Sequence, residues 1–228
     1  MTEPLMPRPR VPSASVSEGI PATSRRRGRF ITLEGIDGAG KSTHLPWLMD
    51  WLSGQGVGVL QTREPGGTDL AEAIRAWVLH QQMSMRTEAL LVFAARQDHL
   101  DRVIRPALAA GQWVLCDRFT DSTAAYQGEG RGMPQADIEM LEHWVHPDLQ
   151  PDRTLLFDLD PFTAAQRRAA AREADRFEAE DVAFFSRVRA GYQARQLQDP
   201  GRFALIDSTQ SIERIRVLVK EAIPSHWL

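Results

Sequence analysis

Phe30-Ile31-Thr32-Leu33-Glu34-Gly35-Ile36-Asp37-Gly38-Ala39-Gly40-Lys41-Ser42-Thr43 is an apolar run that passes directly into Gly-x-x-x-x-Gly-Lys-Ser and is followed by a helical pattern. Strand, glycine-rich loop and helix in that order form the setting a phosphate-binding loop requires. Gly35, Gly38 and Gly40 can take backbone conformations closed to residues with a Cβ, so successive N–H groups can turn inward on an anion at a helix start. Lys41 adds a mobile positive charge for β- and γ-phosphates, and the Ser42 hydroxyl suits Mg²⁺. The stretch from Gly35 to Thr43, with Ile36, Asp37, Gly38, Ala39 and Gly40 between, therefore implies a bound nucleotide.

Outward from this loop, short β-rich runs alternate with helical patterns. The strand candidates are 30–34, 57–62, 113–117, 154–159 and 203–206. Leu100, Val103, Ile104, Ala107 and Leu108 recur at helical spacing, as do Ile212, Ile215 and Val219. The alternation predicts an α/β, P-loop NTPase-like fold, with a five-stranded parallel sheet and helices on both faces. Crossover geometry then puts every strand's C-terminal end on one edge, where ligands bind in such sheets. Arg63, Asp117-Arg118, Asp158-Leu159-Asp160 and Asp207-Ser208-Thr209 all fall there.

Residues 1–27 are rich in Pro, Ser and Arg with no apolar period, and predict a disordered tail ahead of a single domain over 28–228. The chain has 27 basic and 30 acidic residues, a formal charge of −3, and 43% apolar residues. No global basic field points to nucleic acid or a membrane surface. The single cysteine, Cys116, cannot form an internal disulfide, and no apolar stretch approaches a membrane span. A cytoplasmic protein is expected.

Phosphoryl transfer needs positioning and charge neutralisation more than covalent chemistry. Arg63 and Arg118 offer planar forks for a second phosphate. Asp117, at a strand end, could hold Mg²⁺ through water, and Asp37 is placed to meet a hydroxyl of a second substrate. Arg167, Arg168, Arg172, Asp175 and Arg176 form a basic helical cluster able to close as a lid. Phe93 and Arg96 are spaced to stack on and hydrogen-bond a base. His143 and His146 lack further ligands for a zinc site.

LEGIDGAGKST at 33–43, TREPGGT at 62–68, FAAR at 93–96, VIRPALAAG at 103–111, DRFTDSTAAYQGEGRG at 117–132 and DRFE at 175–178 together resemble the bacterial thymidylate kinase family. The resemblance runs from about Gly28 to Leu228. It implies transfer of the γ-phosphoryl group of ATP to dTMP, giving dTDP and ADP for dTTP synthesis, in a Mg²⁺-dependent cytoplasmic homodimer with no nucleic-acid or membrane partner. By matching positions, the ATP loop is 35–43 and Asp37 would engage the deoxyribose 3′-hydroxyl. Arg63 and Arg118 would bind the dTMP side. Arg96, helped by Ser122, Tyr126 and Gln127, would hydrogen-bond thymine, and Phe93 or its neighbour Val92 would face the base. Metal would sit at Ser42 and Asp117.

Gly38 stands where one family subtype has arginine, so the resemblance places the catalytic arginine, beside Asp37, Lys41 and Arg118, in the lid. Arg172 or a neighbour among Arg167, Arg168 and Arg176 would supply it. Asp207 to Gln210 would border adenine. Another nucleotide or nucleoside kinase of this fold is the related alternative. A P-loop switch is the alternative from another class, but there is no Asn-Lys-x-Asp motif, and paired arginines suit a second phosphate substrate better.

Overall fold

The computed structural model describes residues 27–169, 176, 177 and 180–228, with only the backbone of Arg168 and Ala169. Residues 1–26 of the expected tail, Arg172, Asp175 and the Arg168 side chain lie outside the described residues. Arg27, counted with the tail, donates from Nη1 to Asp152 Oδ2 at 3.0 Å, and Gly28 N donates to Leu108 O at 2.9 Å.

In chain order the elements are β1 (Phe30–Glu34), α1 (Lys41–Gly54), β2 (Val59–Arg63), α2 (Asp69–His80), α3 (Met85–His99), α4 (Arg105–Ala109), β3 (Trp113–Asp117), α5 (Thr120–Thr123), α6 (Gln135–Val145), β4 (Arg153–Asp158), α7 (Pro161–Ala169), α8 (Val182–Gln198), β5 (Phe203–Asp207) and α9 (Ile212–Ala222). π-helical turns at Leu100–Ile104 and Ala124–Gly130 extend α3 into α4 and continue α5. Side-chain oxygens of Thr68, Ser84, Asp181 and Ser211 accept the orphan N–H groups that open α2, α3, α8 and α9.

The five strands form one sheet in the order β2-β3-β1-β4-β5, every pair parallel. The expected architecture is therefore present, with β4 one residue earlier than expected, β5 one residue longer, and the largest shift in β2. Its first ladder residue is Val59 rather than Val57, because Gly56 turns the chain at φ +81° and Val57 N is spent on Leu52 O at the end of α1.

Alternation along the strands builds two apolar layers. Ile31 and Leu33 of β1 pack with Leu45, Leu48 and Leu52 of α1 on one face. Phe30, with Val114 and Cys116 of β3, packs against Leu100, Ile104 and Leu108 on the other. Strands buried on both faces are what an all-parallel sheet requires.

Near the starts of β4 and β5 lies a buried ionic cluster. Asp121 Oδ1 accepts from Arg195 Nε at 2.9 Å and Arg202 Nη2 at 3.0 Å, and Oδ2 accepts from Arg202 Nη1 at 2.6 Å. Arg195 also reaches Glu142, at 3.2 Å, which in turn accepts from Thr120 Oγ1 at 2.9 Å. The cluster ties α5, α6 and α8 to the segment before β5. Asp121→Asn keeps the shape but leaves two guanidinium groups short of a counter-charge, so a loss of about 3–5 kcal/mol in denaturant unfolding is expected. An unchanged midpoint would show that the cluster carries no stability.

Candidate active site

At Gly35 the backbone has φ +131°, and an added Cβ would lie 2.3 Å from Phe157 O, so only glycine fits between β1 and β4. Gly40, at φ +99°, turns the chain into α1, which has no side-chain cap at its start. The first helical N–H groups are thus offered to an anion. Lys41 is buried, with Nζ donating to Gly35 O at 2.8 Å and Ile36 O at 3.2 Å. Burial and the neighbouring Arg118 charge bring its pKa down to about 8, against the pull of Asp117, Asp37 and Glu34.

Arg118 follows β3 at φ +72°, the only non-glycine with positive φ among the described residues. This conformation turns its guanidinium back over the loop. Nη1 donates to Gly35 O at 3.0 Å, Ser122 Oγ at 3.2 Å and Tyr192 OH at 2.8 Å. Nη2 donates to Asp37 Oδ1 at 2.6 Å and Tyr126 OH at 3.1 Å. Asp37 Oδ2 accepts from Tyr126 OH at 2.9 Å. Burial alone would raise the Asp37 pKa, but the Arg118 and Lys41 charges and these hydrogen bonds hold the carboxyl far below its ordinary range. Asp37 therefore stays ionised and is turned toward Arg118 and Tyr126.

Glu34, at the end of β1, is fully buried behind this pair. It accepts from Phe119 N at 2.7 Å, Ser122 Oγ at 2.6 Å and Tyr192 OH at 3.1 Å. Burial and the Asp121 charge push its pKa up to about 7, although the Ser122 hydrogen bond, Arg118 and the Phe119 N–H favour the ion.

Two clefts open on the sheet edge, and Asp37, Glu64, Arg75 and Arg118 line both. The first is flanked by Gly38 to Thr43 of the loop, with Asp117, Arg167, Ser208 and Gln210. Asp117 Oδ1 there is buried without a hydrogen-bond partner among the described residues. Arg167 Nη2 donates to Ser208 O at 3.1 Å.

The second cleft holds Val92, Arg96, Ser122, Tyr126, Gln127 and Phe177. Arg96 is 1% exposed, with Nε on Glu64 Oε2 at 2.7 Å and Nη2 on Thr123 Oγ1 at 3.0 Å. Its Nη1 is buried with no partner among the described residues. Burial would raise the Glu64 pKa, yet Arg96 and His99 bring it down, so a buried carboxylate fixes the guanidinium.

Most of the expected site residues come together, with particular exceptions. Phe93 does not line the cleft. It packs with Ala89, Ala124, Met133 and Ile138 and stacks on His146 at 6.3 Å, leaving Val92 on the cleft side. Arg63 is exposed and paired with Glu72 at 2.8 Å; it borders the first cleft, not the second. Gly35 and Ile36 face inward, through a carbonyl and a core side chain. Arg176 lines neither cleft; it pairs with Glu88 and lies over the ring of Phe177.

Arg75, Glu34, Glu64, Tyr192 and Phe177 were not among the expected site residues. For Arg75 a signal existed: it stands on the helical face of Ala71, Ile74 and Val78, where an arginine is out of place unless it has a task. Tyr192 is distant in sequence from every partner and carried none.

The thymidylate kinase family profile matches residues 33–219. Thymidylate kinase of Paraburkholderia xenovorans (strain LB400) is 59% identical over 201 residues, covering 86% of this chain and 98% of that protein. Its counterpart from Burkholderia cenocepacia is 56% identical over 193 residues, covering 83% and 94%. The crystal structure of thymidylate kinase from Ehrlichia chaffeensis is similar with a TM-score of 0.69 at 34% identity, covering 86% of this chain and 98% of that one. The chain belongs to the thymidylate kinase family, whose reaction, ATP-dependent phosphorylation of dTMP to dTDP, generally employs a divalent metal.

Proposed function

We propose that the loop cleft takes ATP, the second cleft takes dTMP, and the phosphoryl group crosses where Asp37, Arg75 and Arg118 line both. That shared wall is the observation that carries the assignment, because in-line transfer needs two anions held end to end. Of residues 35–43, those from Asp37 to Thr43 line the loop cleft and cradle the triphosphate, with the Lys41 ammonium neutralising it, while Gly35 and Ile36 shape the loop from behind. Arg118 and Arg75 bind the acceptor phosphate, and Asp37, held ionised by Arg118, accepts from the deoxyribose 3′-hydroxyl. Arg63 joins them only by leaving Glu72. Ser208 and Gln210 border adenine.

Mg²⁺ fits the donor set: Ser42 and Asp117 line the loop cleft, and Asp117 Oδ1 is a buried acceptor without a partner. A hydroxyl and one carboxylate, completed by phosphates and water, suit this ion. When bound, it would neutralise phosphate oxygens. The lid arginine that stabilises the transferring group is proposed within Arg167–Arg176, with Arg167 the described member at the loop cleft. On the base side, Val92 and Phe177 supply apolar walls, while Arg96 and Gln127 supply hydrogen bonds.

A homodimer fits the outer helices. α3 packs between α2 and α6, and all three expose apolar side chains: Leu70 and Trp77, Leu90, Met140 and Trp144, the last 79% exposed. Monomeric proteins rarely expose a large contiguous apolar patch. No helix among the described residues is long and apolar enough to cross a membrane, and a cytoplasmic location is proposed with this.

ADP formation with Mg-ATP should be stimulated by dTMP above dUMP, UMP, CMP, AMP, GMP or thymidine, and Arg118→Lys should lower kcat/KM for dTMP by ~10²-fold or more; a variant with near-normal kcat/KM would remove Arg118 from the site. ATP affinity should fall as pH rises through about 8, because only the protonated Lys41 neutralises phosphate. Above that pH, binding should take up a proton, seen by calorimetry in buffers of different ionisation enthalpy; flat affinity from pH 7 to 9 would contradict it. Leu90→Glu with Trp144→Glu should halve the mass seen by light scattering, whereas an unaltered dimer would place the interface elsewhere.

A further inference from the structure

Glu88, in the first turn of α3, is 1% exposed, and its two oxygens serve different parts of the molecule. Oε1 accepts from Gln127 Nε2 at 2.6 Å, and Oε2 accepts from Arg176 of the lid. Arg176 also donates from Nη2 to Val78 O at 2.8 Å, and its guanidinium lies 4.9 Å over the ring of Phe177. Phe177 lines the base cleft and packs edge-on to Tyr126 at 5.7 Å. One buried carboxylate therefore joins a glutamine of the cleft to the lid residue beside the ring that borders it.

A carboxylate paired with a guanidinium accepts hydrogen bonds and has none to donate, so the Gln127 amide can meet it only through nitrogen. This decides which way the carboxamide lies, a choice that most glutamines leave open. With Nε2 given to Glu88, Oε1 is left as an acceptor, and no described residue donates to it. Arg96 Nη1 is a buried donor without a partner in the same cleft wall. One donor and one acceptor match the imide edge of a pyrimidine, where a carbonyl adjoins a ring N–H. They mismatch a cytosine edge, where the ring nitrogen is itself an acceptor.

We propose that Glu88 is the positioning residue that makes the base cleft select imide pyrimidines, by fixing the Gln127 carboxamide with its oxygen toward the base while pairing with Arg176. The assignment rests on the second cleft being the base site. It makes base selection depend on a residue of α3 that itself need not touch the base.

The test is Glu88→Gln in the full chain, with dTMP and dCMP affinities measured as competitive inhibition constants or by calorimetry. Glutamine at 88 can accept or donate, so the Gln127 carboxamide is free to turn. The preference for dTMP over dCMP should shrink by about tenfold or more, with the KM for ATP changed less than about twofold. Equal weakening of both nucleotides at unchanged preference would mean a merely structural role and would overturn the proposal.

If that variant does not fold, the exchange Glu88→Gln with Gln127→Glu reverses the hydrogen bond and still leaves an acceptor toward the base. It should retain the preference for dTMP, and loss of that preference would count against the proposal. Gln127→Ala separates the two levels. If it leaves both affinities unchanged, the cleft is not the base site; if it erases the preference while Glu88→Gln does not, the cleft stands and Glu88 has no positioning role.

Discussion

The guanidinium of Arg118 is the constraint on which the site depends. It bridges the loop after β1, through Gly35 O and Asp37, to the segment after β3, through Ser122 and Tyr126, and to α8 through Tyr192. A buried cation needs compensating partners, and each partner here is also a part of the site. The left-handed backbone at Arg118 is retained where that strain has a return, in aiming the side chain over the loop. Its charge then keeps Asp37 ionised and makes the proton on Lys41 easier to lose. Three functional groups thus take their protonation states from one another.

This arrangement explains how a positive site persists before any phosphate arrives. Lys41, Arg75 and Arg118 line the two clefts, and carboxylates at positions 34, 37 and 117 lie among them. Hydrogen bonds to loop carbonyls and tyrosine hydroxyls fill the remaining donor capacity. Cations already held in place by such partners are what a preorganised electrostatic site consists of. Arg63 is the exception: its exposed pairing with Glu72 is of the weak surface kind and is readily exchanged.

How much of this could be seen in the sequence depends on the range of each interaction. The phosphate loop was legible because its demands are local, a glycine where a Cβ would strike Phe157 O and a lysine at the helix start. The five strands were legible for the same reason, in alternation and apolar runs, and β2 slipped only where the turn at Gly56 consumed the residue after it. Phe93 and Val92 were not distinguishable, since neighbours on a helix differ by about 100° of rotation and only the packing of Ala89, Ala124 and Met133 decides which faces the core. Glu34 and Tyr192 meet across 158 positions, beyond any local pattern. Arg75 sat in plain view on the buried stripe of α2, where its placement carried information that composition and motif did not.

The spread of the Arg118 partners along the chain, from Gly35 to Tyr192, also bears on how the molecule comes to be active. Contacts of such separation close late, because the loop entropy of bringing them together must be overcome before any of them forms. No contiguous fragment shorter than residues 35–192 contains the full set of groups that hold this guanidinium. The site is therefore an outcome of completed assembly: a nascent chain that has finished β1, its glycine-rich loop and β3, but not yet α8, still lacks the Tyr192 hydroxyl that holds Arg118 Nη1.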